Sequence, residues 1–209
     1  MSPMPAGGGA KARARQEAQR ERILEAARTC FSEGGFHGTG MAAIARAAGM
    51  SQGLIYRYFT NKAAIIRAIT DEQREERREA LAGIATCSEL VDKLLEKIDA
   101  WRESGPGETC EGGFDAALFL EVSAEATRDA DIAAVVTAQE PQIWVDFEDL
   151  VRRSAIAAGK PLEAEAVRRR TVVMRCLVDG LILCYVRDPQ QDRGVLRQSL
   201  QEAITALCL

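Results

Sequence analysis

Histidine is almost absent from this chain: one residue, His37, in 209. The six cysteines (Cys30, Cys87, Cys110, Cys176, Cys184, Cys208) are scattered and form no CxxC pair. Together these shortages leave no ligand set for a metal, so no metal and no cofactor are expected. Long apolar runs are also missing. The most apolar stretch, Cys176 to Val186, carries Asp179 and falls short of the roughly 20 residues that a membrane span needs. The first residues lack the apolar segment of a secretory signal, so a cytoplasmic location with reduced thiols is expected. No GxSxG, HExxH, GxxxxGK[ST] or strand-following GxGxxG occurs, which removes the usual marks of hydrolytic and nucleotide chemistry.

What is present is an ordinary globular balance, 47% hydrophobic and 28% charged, with a formal net charge of −4. That average hides an asymmetry. Residues 1–62 hold nine Lys/Arg against four Asp/Glu, a local charge of +5, whereas residues 63–209 hold eighteen against twenty-seven, a local charge of −9. Such a split suits one part that meets a polyanion and another that does not; an incidental solvated face is the alternative. Periodicity is helical throughout. Residues 1–15, rich in Gly, Pro and Ala, are expected to be a mobile basic tail. Ile23, Leu24, Ala27, Cys30 and Phe31 then form one apolar stripe, and Gly34-Gly35 supplies a stop. MAAIARAA and SQGLIYRYF read as two short helices joined by a turn containing Gly49, with Ser51 as a cap; this is the pattern of a helix-turn-helix. Thr60 or Asn61 caps a fourth helix that passes through Ile65, Ile66 and Ile69 into the charged run DEQREERRE. Further helices are expected up to about Trp101, over Phe114–Thr127, over Ile132–Ala158 with a kink or break at Pro141, over Leu162–Val186 and over Gly194–Cys208. The fold is therefore expected to be all-α, with about nine helices and no strand.

The stretch Thr39 to Lys62, within TGMAAIARAAGMSQGLIYRYFTNKAAI, closely resembles the DNA-binding signature of the TetR/AcrR family of bacterial transcriptional regulators. The resemblance extends upstream to Phe31 and Gly35, and more weakly to FLEVSAEATRDADI and LVDGLIL. It implies a three-helix DNA-binding domain over 16–62 and a larger effector-binding and dimerisation domain over 63–209. The residues themselves fit that reading. Gln52, Gly53 and Arg57 sit where a recognition helix enters the major groove, and Gln52 and Arg57 carry groups that read base edges. Ser51, Tyr56, Tyr58 and Lys62 can reach the backbone. The resemblance implies phosphate contacts for Thr39, Tyr56, Tyr58 and Lys62. Family members usually place Ser or Thr where this chain has Gly40, so one hydroxyl contact is missing.

In the larger half, an effector pocket is expected from Trp101, Phe114, Phe119, Glu121, Trp144, Phe147 and Arg175, because apolar walls with a few polar anchors suit a small molecule. The bland alternative pairs Arg175 with Asp179 and Glu125 with Arg128. The helix after Val172 is apolar almost all round, so both its faces need cover. A dimer interface is expected from Leu177, Gly180, Leu181, Cys184, Leu196, Leu200, Ile204 and Leu207, as a four-helix bundle between two copies. The function expected is a homodimeric repressor, not an enzyme, that leaves a pseudo-palindromic operator in double-stranded DNA when a small-molecule effector binds; no membrane partner is expected. A helical enzyme using Glu121, Arg175 and Asp179, or a non-specific architectural DNA protein, are the rival readings. Effector, operator, regulated genes, repression versus activation, and redox sensing by a cysteine are not legible in the sequence.

Overall fold

The structure is a computed structural model that describes residues 7–103 and 116–208. These form helices α1 (Gly7–Gly38), α2 (Met41–Ala47), α3 (Gln52–Tyr58), α4 (Lys62–Ala82), α5 (Cys87–Glu103), α6 (Ala116–Glu125), α7 (Ala130–Ala157), α8 (Ala164–Arg187) and α9 (Arg193–Cys208). There is no strand among the described residues. The fold is all-α, with an N-terminal helix-turn-helix domain.

Most helix ends follow local chemistry. Gly35 adopts φ 68°, ψ 160° and breaks α1 before its last residues, a conformation that costs a side chain with a Cβ. Gly49, at φ 65°, closes α2 in a Schellman turn: Met50 N–H donates to Ala45 O (2.9 Å) and Gly49 N–H to Arg46 O (3.0 Å). Of the two residues that could cap α4, Asn61 does so, its side chain accepting from Ala64 N–H at 2.8 Å. The C-terminus of α4 is finished by a remote side chain. Arg153 on α7 donates Nη1 to Ile84 O (2.6 Å) and Nη2 to Leu81 O (2.9 Å).

Two expectations differ from what is found. Residues 7–15 are helical; Ala, Lys, Arg and Gln are strong helix formers and carry the α1 helix back through the glycines. Pro141 neither breaks nor ends α7, which runs through it from Ala130 to Ala157.

The buried residues fall into two cores. The first joins Ile23, Leu24, Phe31 and Phe36 of α1 with Ile44 of α2, Ile55 of α3, Ile65, Ile66 and Ile69 of α4, Leu118 and Val122 of α6, and Ile132 and Val135 of α7. The second joins Leu81, at the far end of α4, with Leu90, Leu95 and Ile98 of α5, Phe147, Leu150 and Val151 of α7, Val167, Met174 and Leu181 of α8, and Leu200 and Ile204 of α9. Helix α4 therefore belongs to both cores, and the first core packs across the division expected at residue 62. Between its two apolar ends lies the charged run from Asp71 to Glu79. Part of that run ties α4 to α1: Glu72 accepts from Arg20 (2.8 Å) and from Arg28 (2.5 Å).

Candidate nucleic-acid interface

Helix α3 is built to show one face. Ile55 is fully buried and Phe59 nearly so, which pins the helix to the first core. Ser51 Oγ accepts from Leu54 N–H (3.3 Å) and caps its start. Ser51, Gln52, Gly53, Tyr56 and Arg57 are then exposed, and Tyr56 is 52% exposed. The positions 52, 53, 56 and 57 share one helical face. Tyr58 is half-buried and packs on the core. A Cβ at Gly53 would meet nothing within 4 Å, so nothing inside the chain requires glycine there. The turn before α3 is held to α1 by Arg22, whose Nη2 donates to Ala48 O at 2.7 Å.

Around this face, several side chains expected on phosphate are already engaged. Thr39 is only 4% exposed. Its hydroxyl lies 2.8 Å from both Cys30 O and Gly35 O and donates back into the end of α1. A phosphate contact through that hydroxyl does not fit; Thr39 seals the kink at Gly35 instead. Lys62 Nζ donates to Phe36 O (2.9 Å) and lies 4.4 Å from the centre of the Phe36 ring. Gly40 caps α2 in extended conformation without a side-chain hydrogen bond.

Glu121 requires a correction. It is not among the lining residues of the two cavities that α4 borders among the described residues. Its carboxylate accepts from Phe36 N–H at 3.1 Å and lies 3.6 Å from where a Gly35 Cβ would be. Phe36 is thus gripped at its N–H by α6 and at its C=O by α4, while its ring sits 5.2 Å from that of Phe31. Nothing in local spacing announces this contact, which joins residues 85 apart. One turn further along α6, Glu125 accepts from Arg128 (3.3 Å) and lies 3.8 Å from the exposed His37.

The other expected pocket residues divide. Phe119 lines a cavity of about 110 Å³ between α4, α6 and α7. Phe147 lines a second, of about 140 Å³, between α4, α5, α7 and α8. Trp144 and Arg175 line neither: Arg175 lies 5.0 Å over the Trp144 ring and donates to Glu140 (2.5 and 3.3 Å). Asp179, 3.9 Å away, is the more distant partner. Burial pushes its carboxyl up, partly offset by Arg175. The Trp101 side chain and Phe114 lie outside the described residues.

The expected dimer residues divide too. Leu181, Leu200 and Ile204 are buried in the second core of their own chain, a correction that follows from α8 and α9 turning those faces inward. Leu177, Leu196 and Leu207 pack at its edge. Gly180 and Cys184 lie elsewhere, on a face shared with the exposed Val173 and Cys176.

Residues 23–69 match the family described as Bacterial regulatory proteins, tetR family, and they contain α2, the turn and α3. The chain is thus similar to the tetR family over its helix-turn-helix segment. A stretch of 121 residues is 36% identical to the HTH-type transcriptional regulator UidR of Escherichia coli K12, covering 56% of each protein. The chain thus spans about half the length of that relative. It is 28% identical over 188 residues to the HTH-type transcriptional repressor Rv1474c of Mycobacterium tuberculosis, covering 86% of this chain and 89% of that one. Among solved structures it resembles Salmonella enterica GusR, at 27% identity and a TM-score of 0.70, covering 91% of this chain and 95% of that one. No described helix is long and apolar enough to cross a membrane.

Proposed function

We propose that this chain is a homodimeric, sequence-specific repressor that a small molecule releases from its DNA operator. The observation that carries the reading is the exposed row Gln52, Gly53, Tyr56 and Arg57, held rigid by Ile55 and Phe59 beneath it. Gln52 and Arg57 read base edges, and Gly53 lets the backbone approach the duplex. Tyr56, Tyr58, Ser51 and the remaining donors of Lys62 serve the phosphates.

Release follows from α6. One face of this helix walls the cavity lined by Phe119, Val122 and Ser123, and Glu121 on it holds Phe36 at the entry to α2. A ligand that binds one α6 position better than another shifts the population and with it the placement of α2 and α3. Dimerisation uses the outer face of α8, where Val172 and Val173 are 48% and 45% exposed, together with Cys176, Gly180, Cys184 and the exposed Val186. A Cβ at Gly180 meets nothing, which leaves room for a second helix.

Sedimentation of the chain with a short duplex carrying its site tests this directly. Two chains per duplex are expected, and Gly180→Trp should give one chain and weaker binding. A wild-type complex with a single chain would overturn the dimeric reading.

A further inference from the structure

Among the described residues, two cavities of the larger half meet at the charged waist of α4. Both are lined by Gln73 and Arg77. The larger is otherwise walled mainly by apolar side chains such as Leu81, Leu94 and Phe147, and its three charged lining residues, Arg77, Lys93 and Lys97, are all cations. In the smaller, Arg77 is the one charged residue of the lining. Lys93 is paired with Glu96 at 2.7 Å. Arg77 differs: its Nε and Nη2 are buried and have no hydrogen-bond partner. The acids whose charge it feels are Asp146 and Glu140, against the like charges of Arg175 and Arg74. Glu140 is already held by Arg175; Asp146 accepts from Gln142 through Oδ1 at 2.8 Å, and its buried Oδ2 makes no hydrogen bond to Arg77 or to any other group. A guanidinium whose donors are removed from water without a partner is costly, and it is retained where something else supplies the partner.

We propose that Arg77 is the anchor for the carboxylate of a small organic acid, whose apolar body fills the cavity lined by Leu81, Leu94 and Phe147. This rests on the ligand-released reading above and names the class of the ligand. A planar guanidinium matches a carboxylate in a two-bond fork. The volume of about 140 Å³ suits a body of about the size of one benzene ring. On the other side of Arg77, Gln139 donates to Asp71 (2.7 Å) but leaves its buried Oε1 without a partner. A hydroxyl or N–H on the ligand would complete it.

The test uses the full chain with 3-phenylpropanoate and octanoate, each against its neutral alcohol, and inorganic phosphate as a charged probe with no apolar body. Calorimetric titration and thermal melting are the readouts. The acids should bind and raise the melting temperature, whereas the alcohols and phosphate should not. Arg77→Met and Arg77→Gln should each weaken acid binding by about tenfold or more. Without ligand, Arg77→Met should melt no lower than wild type, because it removes an unpartnered charge. Alcohols binding as well as acids, phosphate matching them, neither acid binding up to its solubility limit, or unchanged acid affinity in both variants would each overturn the assignment. DNA binding by the ligand-free wild type is measured alongside. Its loss would count against the regulator reading, and its retention with no acid response against the ligand class alone.

Discussion

Around α1 to α3, buried side chains meet complementary partners at close range. The Phe31 and Phe36 rings pack against each other at a tilt, the Thr39 hydroxyl finds the end of α1, and Arg22 finds Ala48 O. From the charged run of α4 onward the interior is left incomplete. Two largely apolar cavities border α4 among the described residues, and Arg77, Gln139, Asp146, Ser154, Arg170 and Thr171 all hold buried polar atoms without a protein partner. Before α4, only Arg28 Nε does so among the described residues. Completed packing suits a surface that must present four residues to a duplex at fixed positions. Unmet hydrogen-bonding capacity beside empty volume suits a region that receives a ligand and changes shape with it.

Core truncations break this comparison most strongly. Phe31→Ala should cost about 3–5 kcal/mol in chemical denaturation and abolish DNA binding, since Phe31 is fully buried. Phe147→Ala, on the wall of an existing cavity, should cost less; equal losses would remove the distinction between the two cores. Next in size, Arg57→Ala should lower discrimination at particular bases by about 1–3 kcal/mol, read from binding to a panel of single-base variants. Uniform weakening across that panel would make Arg57 a backbone contact. Thr39→Val should cost about 1–2 kcal/mol of stability while leaving the salt dependence of DNA binding unchanged, because its hydroxyl serves Cys30 O and Gly35 O. A flatter salt dependence would instead put Thr39 on a phosphate. Smallest is Gly53→Ala, which should raise stability by about 0.5–1 kcal/mol and still weaken DNA binding, measured by melting and titration together.

The same contrast sets what could be read from the sequence. The helix-turn-helix end is made of local relations, such as a cap at Ser51, a left-handed turn at Gly49 and a three-to-four-residue stripe from Ile23 to Phe31, and each has a spacing that shows in the chain. The larger half depends on relations across distance. After Val172 helix α8 is apolar almost all round, so periodicity alone could not tell the inward Leu181 from the outward Cys184. In the sequence DEQREERRE is simply a charged run, and only the packing of α5, α7 and α8 around it turns Arg77 inward. Glu121 is read from the sequence as a pocket residue, but its partner is the Phe36 N–H, in the last residues of α1 beyond the kink at Gly35. Sequence spacing places a carboxylate on a helix, while the neighbours that decide its role come from the tertiary fold.

Selection of bound sequences from random duplex DNA by the full chain bears most directly on the reading of α3 as a base-reading helix in a dimer. An enriched inverted repeat, with half-sites separated by about one or more helical turns, is the expected outcome. Recovery of DNA without sequence preference would contradict it.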